Sequence, residues 1–229
     1  MNRLNWKTYA FEFLSIFVAV VSAFALTNWD DRRRDRHTEV KLLTEIRNGL
    51  DKDIADIQLN LDGHQYGIKA CNYMRRLATG VEAPPDSFAF HYFHLTRDYI
   101  SIQNNSGYES LKSNGLGTIR NDSLRLGIIG VYEYDFANLK KLEEEYKEMQ
   151  YHTSYYQAIN DILSPNFVFS DQGQISILTP LQVSPADRKA LLSYLWKIQV
   201  NRNFVLQFYG DIEDRIQQLV DTIKEEIEH

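Results

Sequence analysis

The chain has 229 residues, of which 44% are hydrophobic and 24% are charged, and it contains 11 Gly, 5 Pro and 1 Cys. This composition excludes collagen-like, disulfide-stapled and wholly disordered proteins. Few Gly and Pro together with abundant Glu, Lys, Leu and Ile favour long helices over a turn-rich β fold. We therefore expect a mainly α protein. Residues 1–8 form a short N-terminal tail, residues 9–29 a transmembrane helix, and residues 30–229 a helical extramembrane domain.

The transmembrane prediction rests on an apolar segment near the N-terminus. Residues 13–26 carry no charge, but their helical length of roughly 21 Å is shorter than a ~30 Å hydrocarbon core. Extension to residues 9–29 gives roughly 31 Å and includes Glu12. Aromatic residues flank the longer segment, as they do at membrane interfaces. The predicted interface residues are Trp6, Tyr9, Asn28 and Trp29.

A cleavable signal peptide is the alternative interpretation of this segment. The N-terminus is basic, the middle is apolar, and Ala23-Phe24-Ala25 has the pattern of a cleavage site. Against cleavage, Glu12 interrupts the apolar region, which also runs on to Trp29. The pattern favours an uncleaved anchor, with cleavage after residue 25 as the alternative.

One face of the predicted span carries small or polar side chains, three or four residues apart. These residues are Glu12, Ser15, Ala19, Ser22 and Ala23. Small residues allow another helix to approach closely, and such packing drives helix association in lipid. An acid at this depth is expected to be protonated, paired or turned towards a partner. The alternative is that Glu12 reaches the headgroup region and the small residues are incidental.

The charges around the span give opposing indications of orientation. Arg3 and Lys7 precede the span, whereas four arginines follow it within residues 32–36. The positive-inside rule therefore favours a cytoplasmic C-terminal part. The signal-like layout of the N-terminus favours translocation of the bulk of the chain. Beyond Trp29 the chain has 23 Lys and Arg against 30 Asp and Glu, which argues against binding to nucleic acid.

Beyond the span, apolar residues recur at intervals of three, four and seven between Leu43 and Cys71. This spacing predicts that the membrane helix continues as a long amphipathic stalk. Gly63 and Gly67 weaken the pattern, and Gly80 with the following prolines ends it. A short aromatic helix is then predicted over residues 88–97, with Asp86 or Ser87 as its cap.

Three further helices and a hairpin are predicted in the rest of the chain. Ser106 and Glu109 have the spacing of a capping box, and Gly115 ends that short helix. A long helix runs from the Asn121 cap to residue 163. Residues 167–178 form a small β-hairpin. Ser184-Pro185-Ala186-Asp187 is a strong start signal for the final helix.

The search for catalytic motifs is negative. The chain contains no G-x-S-x-G, H-E-x-x-H, P-loop, paired CxxC or EF-hand pattern. His91 and His94 could share a helix face as metal ligands, but they lie among aromatic residues without a third ligand nearby. Cys71 and His64 lie on the apolar stripe of the stalk, where helix packing is the expected role. We therefore expect no enzyme activity, no cofactor and no metal site.

Two segments carry a resemblance to a known family. The first is the span ending in Asn28-Trp29. The second is Tyr108-Glu109-Ser110-Leu111-Lys112-Ser113-Asn114-Gly115, followed by Ile119-Arg120-Asn121-Asp122-Ser123-Leu124. The chain resembles the DUF6090 family of uncharacterised single-pass bacterial membrane proteins, roughly over residues 8–165. The matching positions are Glu12, Asn28, Trp29, Tyr108, Leu111, Gly115, Asn121 and Leu124.

The resemblance implies an architecture and a location. Members of this family usually carry a longer basic N-terminus, which implies insertion in the bacterial inner membrane with the bulk in the periplasm. The family has no known activity, so the resemblance implies no mechanism. A capped short helix, a glycine stop and a capped long helix would also account for the signature without any ligand.

These observations lead to two functional hypotheses. The first is a membrane-anchored helical protein that serves as an interaction, scaffold or accessory subunit of a membrane assembly. Its expected partners are the lipid bilayer and either further copies of itself or another membrane subunit. The second is an oligomeric channel or transport component in which several Glu12 side chains line a path.

Overall fold

The computed structural model describes the backbone of residues 6–228 and the side chains of residues 9–228. It is mainly α-helical, as predicted, with one small antiparallel sheet. Two long helices, α1 and α7, run antiparallel along the molecule. Shorter helices pack against this pair and enclose the core between them.

Helix α1 spans Trp6–Ala78 without interruption. Its 73 residues correspond to a length of about 110 Å. The predicted continuation of the apolar segment into the stalk is therefore confirmed. Gly63 and Gly67 do not break α1, because the Tyr99 ring and the Arg202 guanidinium fill the space beside them.

Helix α7 spans Pro185–Glu228 and returns along α1 for about 66 Å. Its predicted start is confirmed: the Ser184 hydroxyl accepts a hydrogen bond from the Asp187 N–H at 3.1 Å and donates to the Asp187 carboxylate at 2.7 Å. At that end, Arg188 donates to the carbonyl of Ala78 at 2.6 Å. These contacts join the start of α7 to the end of α1.

Helices α2 (Phe88–Leu95) and α3 (Ser106–Asn114) pack against α1. The predicted Asp86 or Ser87 cap is wrong, because Pro85–Ser87 forms a 3₁₀ turn that leads into α2 without a side-chain cap. The predicted capping box of α3 is also wrong. Ser106 is the first residue of the helix. Its hydroxyl donates a hydrogen bond to the side-chain oxygen of Asn104 at 2.8 Å and does not cap the helix.

The long helix predicted over residues 121–163 is divided in the structure. Helices α4 (Asp122–Ile129) and α5 (Phe136–Glu144) are joined by a π-helical stretch at Gly130–Asp135. The chain then leaves the helix over residues 145–150. A second π-helical stretch, His152–Tyr156, precedes α6 (Gln157–Leu163). Met149 and Tyr151, at and just after this break, are buried in the core.

The predicted hairpin is confirmed. Strands β1 (Phe167–Phe169) and β2 (Ile175–Ile177) pair antiparallel, with Phe167 opposite Ile177. The turn between them contains Gly173 at a φ of 76°, a left-handed conformation that favours glycine. Ile177 is buried, so the hairpin closes one end of the core.

Candidate functional site

The apolar segment of α1 is fully exposed in the single chain. The bulky residues from Tyr9 to Trp29 expose between 48% and 75% of their surface. The helix is long and apolar enough to cross a membrane, and the rest of the molecule covers none of this stretch. An uncovered apolar surface of this size is typical of a contact with lipid or another protein. Trp6, a predicted interface residue, has a side chain outside the described residues.

The predicted stripe lies on this uncovered segment. Glu12, Ser15, Ala19, Ser22 and Ala23 are all exposed. The Ser15 hydroxyl donates to the carbonyl of Glu12 at 2.8 Å, and the Thr27 hydroxyl donates to that of Ala23 at 3.0 Å. Because both hydroxyls are satisfied within the helix, they can lie against lipid or another helix without loss of a hydrogen bond.

Beyond the segment, three of the four arginines have different surroundings. The Arg33 guanidinium lies 5.8 Å from the centre of the Trp29 ring, and Arg34 pairs with Asp31 at 3.3 Å on the helix surface. Arg36 instead turns towards the body, where it pairs with the buried Glu39 at 3.1 Å. Only part of the basic run is therefore directed at the surroundings, and Arg36 belongs to the fold.

Arg36 and Glu39 form part of a polar junction that joins α1, α4 and α7. Glu39 also accepts the backbone N–H of Arg120 at 2.8 Å. Glu226, in the last turn of α7, pairs with Arg36 at 3.6 Å and accepts the Asn121 amide at 2.8 Å. Asn121 caps α4, as predicted, by accepting the N–H of Leu124 at 3.2 Å. The junction holds the start of α4 and the end of α7 to the first turns after the apolar segment.

The other residues of the signature have structural positions. Tyr108 stacks on Tyr132 with ring centres 4.6 Å apart, and its hydroxyl donates to Glu133 at 2.9 Å. Leu111 and Leu124 are buried in the core. Gly115 ends α3 at a φ of 93°, where only glycine is unstrained. The contacts of these residues are packing or capping contacts, and Asn121 also belongs to the polar junction.

Gly107 was not identified from the sequence. A Cβ atom at this position would lie 2.8 Å from the backbone nitrogen of Ile46. Helix α3 therefore contacts α1 backbone to backbone, which only glycine permits. The available signal was the glycine itself, because an isolated glycine within a helical pattern lowers helix stability and can mark a packing contact.

A second polar cluster, centred on Arg202, was also not predicted from the sequence. The Arg202 side chain is fully buried, and its guanidinium lies 4.1 Å from the centre of the Tyr151 ring. It donates to the backbone carbonyls of Leu95 at 3.1 Å and Arg97 at 2.9 Å, so it caps the C-terminus of α2. Another of its nitrogens lies 3.0 Å from Nδ1 of His64. Burial and the neighbouring guanidinium lower the pKa of His64 to about 3.

Carboxylates accept hydrogen bonds from the backbone of the irregular linker between α2 and α3, residues 96–105. Glu143 accepts the N–H of Ser101 at 3.0 Å. Asp56 accepts that of Ile102 at 2.8 Å, and Asp53 that of Asn104 at 2.7 Å. Burial raises the pKa of Asp53 to about 6 and also raises the pKa of Glu143. A non-helical segment can thus lie against the bundle because carboxylates bind its donors.

The two histidines considered as metal ligands have other partners. His91 stacks on Tyr73 at 4.3 Å, and His94 hydrogen-bonds through Nδ1 to the Tyr99 hydroxyl. Cys71 is buried, and burial raises the pKa of its thiol to about 11. Within the described part of the chain, no three His, Cys, Asp or Glu residues are grouped to hold a metal ion.

Far from the apolar segment, the body carries exposed aromatic surface. A groove of about 590 Å³ lies between α2 and the π-helical stretch that precedes α6. Its principal lining residues are Tyr92, Phe93, Arg97, Asp98, His152 and Tyr156. On the outer face of α7, Trp196, Val200 and Phe204 follow at intervals of four residues and expose 62%, 45% and 52% of their surface. Both features lie on the half of the body remote from the span.

Comparison with known proteins gives no relative. No family model, no curated protein and no solved structure matches this chain.

Proposed function

We propose that this chain is a single-pass protein of the bacterial inner membrane whose helical body serves as an interaction, scaffold or accessory subunit of a membrane assembly. The observation that carries the proposal is the continuity of α1 from the uncovered apolar segment into the buried core. A bilayer around residues 9–29 would hold the body upright on a stiff helix. From this anchor and the family resemblance, we infer that the body lies in the periplasm.

The form of the body supports a role in binding other proteins. Tyr73 packs under α2, and it lies 44 residues beyond Trp29, or about 66 Å along the helix. The aromatic groove and the outer face of α7 would therefore lie well above the membrane. Large exposed apolar side chains of this kind are typical of protein–protein contact surfaces.

The stripe in the membrane span is the proposed contact with a second transmembrane helix. Ala19 and Ala23 would allow close approach, so a leucine at either position should disrupt the assembly. Val21→Leu, on the opposite side of the helix, is the matched control. The experiment is purification from native membranes in mild detergent, with particle mass and co-purifying proteins determined together for all three variants.

The outcomes of this experiment are distinct. The proposal predicts a particle larger than the 26.8 kDa chain that is reduced by Ala19→Leu or Ala23→Leu and retained by Val21→Leu. A single chain free of partners in every preparation would contradict the proposed subunit role. Unchanged particle size in the alanine variants would contradict the contact through the stripe.

A channel or transport component is the second candidate, because Glu12 lies uncovered on the stripe itself. This function requires several copies with their Glu12 side chains around one path. A homo-oligomer without other subunits, with ion flux in liposomes that Glu12→Gln changes, would support it. Flux that is independent of Glu12 would count against it.

A further inference from the structure

A small polar pocket lies at the end of the body that faces the apolar segment. It has a volume of about 360 Å³ and opens between α1 and the turn after α3. Its lining residues are Asp35, Thr38, Asn114, Gly117, Thr118 and Arg120. Polar atoms dominate its wall, in contrast to the aromatic groove at the far end of the molecule.

The pocket lies close to the expected position of the membrane surface. Asp35 follows Trp29 by six residues, which is about 9 Å along α1. The polar headgroup layer extends roughly 5–8 Å beyond the hydrocarbon on each side of a bilayer. If Trp29 marks the interface, the side chains of Asp35 and Arg120 can reach the headgroups from above. The pocket would then lie at the outer edge of the headgroup layer.

The cationic side chain that lines the pocket, Arg120, is loosely held. The Arg120 guanidinium lies 3.7 Å from the Asp35 carboxylate, and the two side chains expose 51% and 64% of their surface. The backbone of Arg120 is fixed, since its N–H donates to the buried Glu39. The guanidinium is thus positioned by the polar junction and free to bind an anion such as a phosphate.

The remaining polar groups present acceptors to the pocket. The hydroxyls of Thr38 and Thr118 donate to carbonyls of their own helical turns, at 3.0 Å and 3.2 Å. The Asn114 amide nitrogen donates to the carbonyl of Ser110 at 2.9 Å. The two hydroxyl donors and one N–H of the Asn114 amide are therefore used, whereas the hydroxyl oxygens, the amide oxygen and the Asp35 carboxylate can still accept. Such a set fits a group that carries several N–H donors.

We propose that this pocket binds the phosphoethanolamine headgroup of a membrane phospholipid, with the phosphate on Arg120 and the ammonium on Asp35. The ammonium replaces Arg120 as the partner of Asp35, and the phosphate replaces Asp35 as the partner of Arg120. The inference rests on the proposed membrane anchor. It deepens that proposal by naming a lipid that would fix the body against the bilayer.

Three lipids discriminate between the relevant chemistries. Dioleoyl phosphatidylethanolamine carries the phosphate and an ammonium with N–H donors. The phosphatidylcholine analogue has the same charges without those donors, and the phosphatidylglycerol analogue has only the anionic charge. Binding of each lipid to the full-length protein in mild detergent is measured by native mass spectrometry. The proposal predicts about tenfold tighter binding of phosphatidylethanolamine than of phosphatidylcholine, because a charge-assisted hydrogen bond distinguishes them.

Variants at the two charges separate the roles of the groups. Asp35→Asn should reduce the preference for phosphatidylethanolamine over phosphatidylcholine, and Arg120→Gln should weaken the binding of both. The matched control is the exposed pair of Asp31 and Arg34, which lies beside the pocket on α1. Asp31→Asn and Arg34→Gln make the same changes in charge outside the pocket and should leave lipid binding unchanged.

A filling variant tests the pocket without a change in charge. A Cβ atom at Gly117 would meet no atom within 4 Å, so Gly117→Leu should fold and should abolish the preference among lipids. Thermal unfolding of each variant verifies the fold. Equal binding of phosphatidylethanolamine and phosphatidylcholine would overturn the proposal. So would equal effects of the pocket and control variants, or tighter binding of phosphatidylglycerol that is insensitive to Asp35→Asn.

Failure of this inference is distinguishable from failure of the membrane anchor. A chain that floats with liposomes but shows no preference among the three lipids refutes the pocket alone. A chain that does not float refutes the anchor, and the pocket proposal with it.

Discussion

The guanidinium of Arg36 donates to the backbone carbonyl of Glu226 at 2.5 Å and thereby joins the first turns after the apolar segment to the last turn of the chain. The same side chain pairs with Glu39, which is almost completely buried. An arginine close to a membrane span would ordinarily be assigned to lipid headgroups. Here it closes the base of the helical body instead.

Arg36→Ala should therefore destabilise the protein by about 1–3 kcal/mol, because it leaves the buried Glu39 without its cationic partner. Arg34→Ala is the matched control, since it removes only an exposed pair with Asp31 and should cost less than about 1 kcal/mol. Denaturant unfolding in detergent, followed by circular dichroism, measures both. Equal effects of the two variants would contradict the structural role of Arg36.

Gly67→Ala tests the contact between α1 and Arg202. A Cβ atom at Gly67 would lie 2.3 Å from Nε of Arg202, so the buried guanidinium must move, at a loss of about 1–3 kcal/mol. Gly210→Ala is the control, because a side chain there meets no atom within 4 Å. In the interior of α7 it should stabilise the protein by about 0.4–1 kcal/mol. Opposite shifts in the unfolding midpoint are expected, and a stabilised Gly67→Ala protein would contradict the packing.

The stability should depend on pH through His64. Its pKa is about 3 in the folded protein because of burial beside Arg202, against about 6.5 in an unfolded chain. Because the pKa of His64 is lower in the folded protein, His64 stabilises the fold fully above pH 6.5. This contribution is lost as the pH falls towards 3. Asp53 changes in the opposite direction, because its raised pKa favours the folded state as the pH falls from 6 towards 3.8.

Comparison of the wild type with His64→Gln isolates the histidine from Asp53. The stability advantage of the wild type should shrink by about 2 kcal/mol between pH 7 and pH 5, because only the wild type then loses the histidine contribution. Urea unfolding at the two pH values measures the difference. An advantage that stays constant with pH would show that His64 is not held neutral beside Arg202.

Tyr108 provides a test of the signature segment. Tyr108→Phe removes only the hydrogen bond to the exposed Glu133 and should cost about 0.5–1 kcal/mol. Tyr108→Ala also removes the buried ring that stacks on Tyr132, at a loss of about 3 kcal/mol. A large effect of Tyr108→Phe, with binding of a partner lost as well, would instead assign the hydroxyl a role in recognition.

Local signals in the sequence were sufficient for several of the regular elements. The apolar periodicity predicted α1, Ser184 and Pro185 predicted the start of α7, and Asn121 predicted the start of α4. For the two helix starts, the deciding interactions lie within one turn of the chain. The hairpin was predictable for the same reason, because its turn glycine and its paired strands are adjacent in sequence.

The missed features depend on contacts between distant segments. The helix break near residue 145 accompanies burial of Met149 and Tyr151, and Glu143 turns inwards to the linker and to Tyr209. A charged residue in the register of a core position was the available signal, as with Arg202 between Ile198 and Val205. Its partners are backbone carbonyls more than 100 residues away, and no local pattern predicts them.

Flotation after alkaline extraction tests whether residues 9–29 anchor the chain in a bilayer. The full-length protein is expressed, its membranes are washed at alkaline pH, and the material is floated through a density gradient. Residues 9–29 form an uncovered apolar helix, so the protein should float with the lipid and require detergent for release. Recovery of the intact chain in the soluble fraction would contradict the anchor, and with it the proposed role as a membrane-bound subunit.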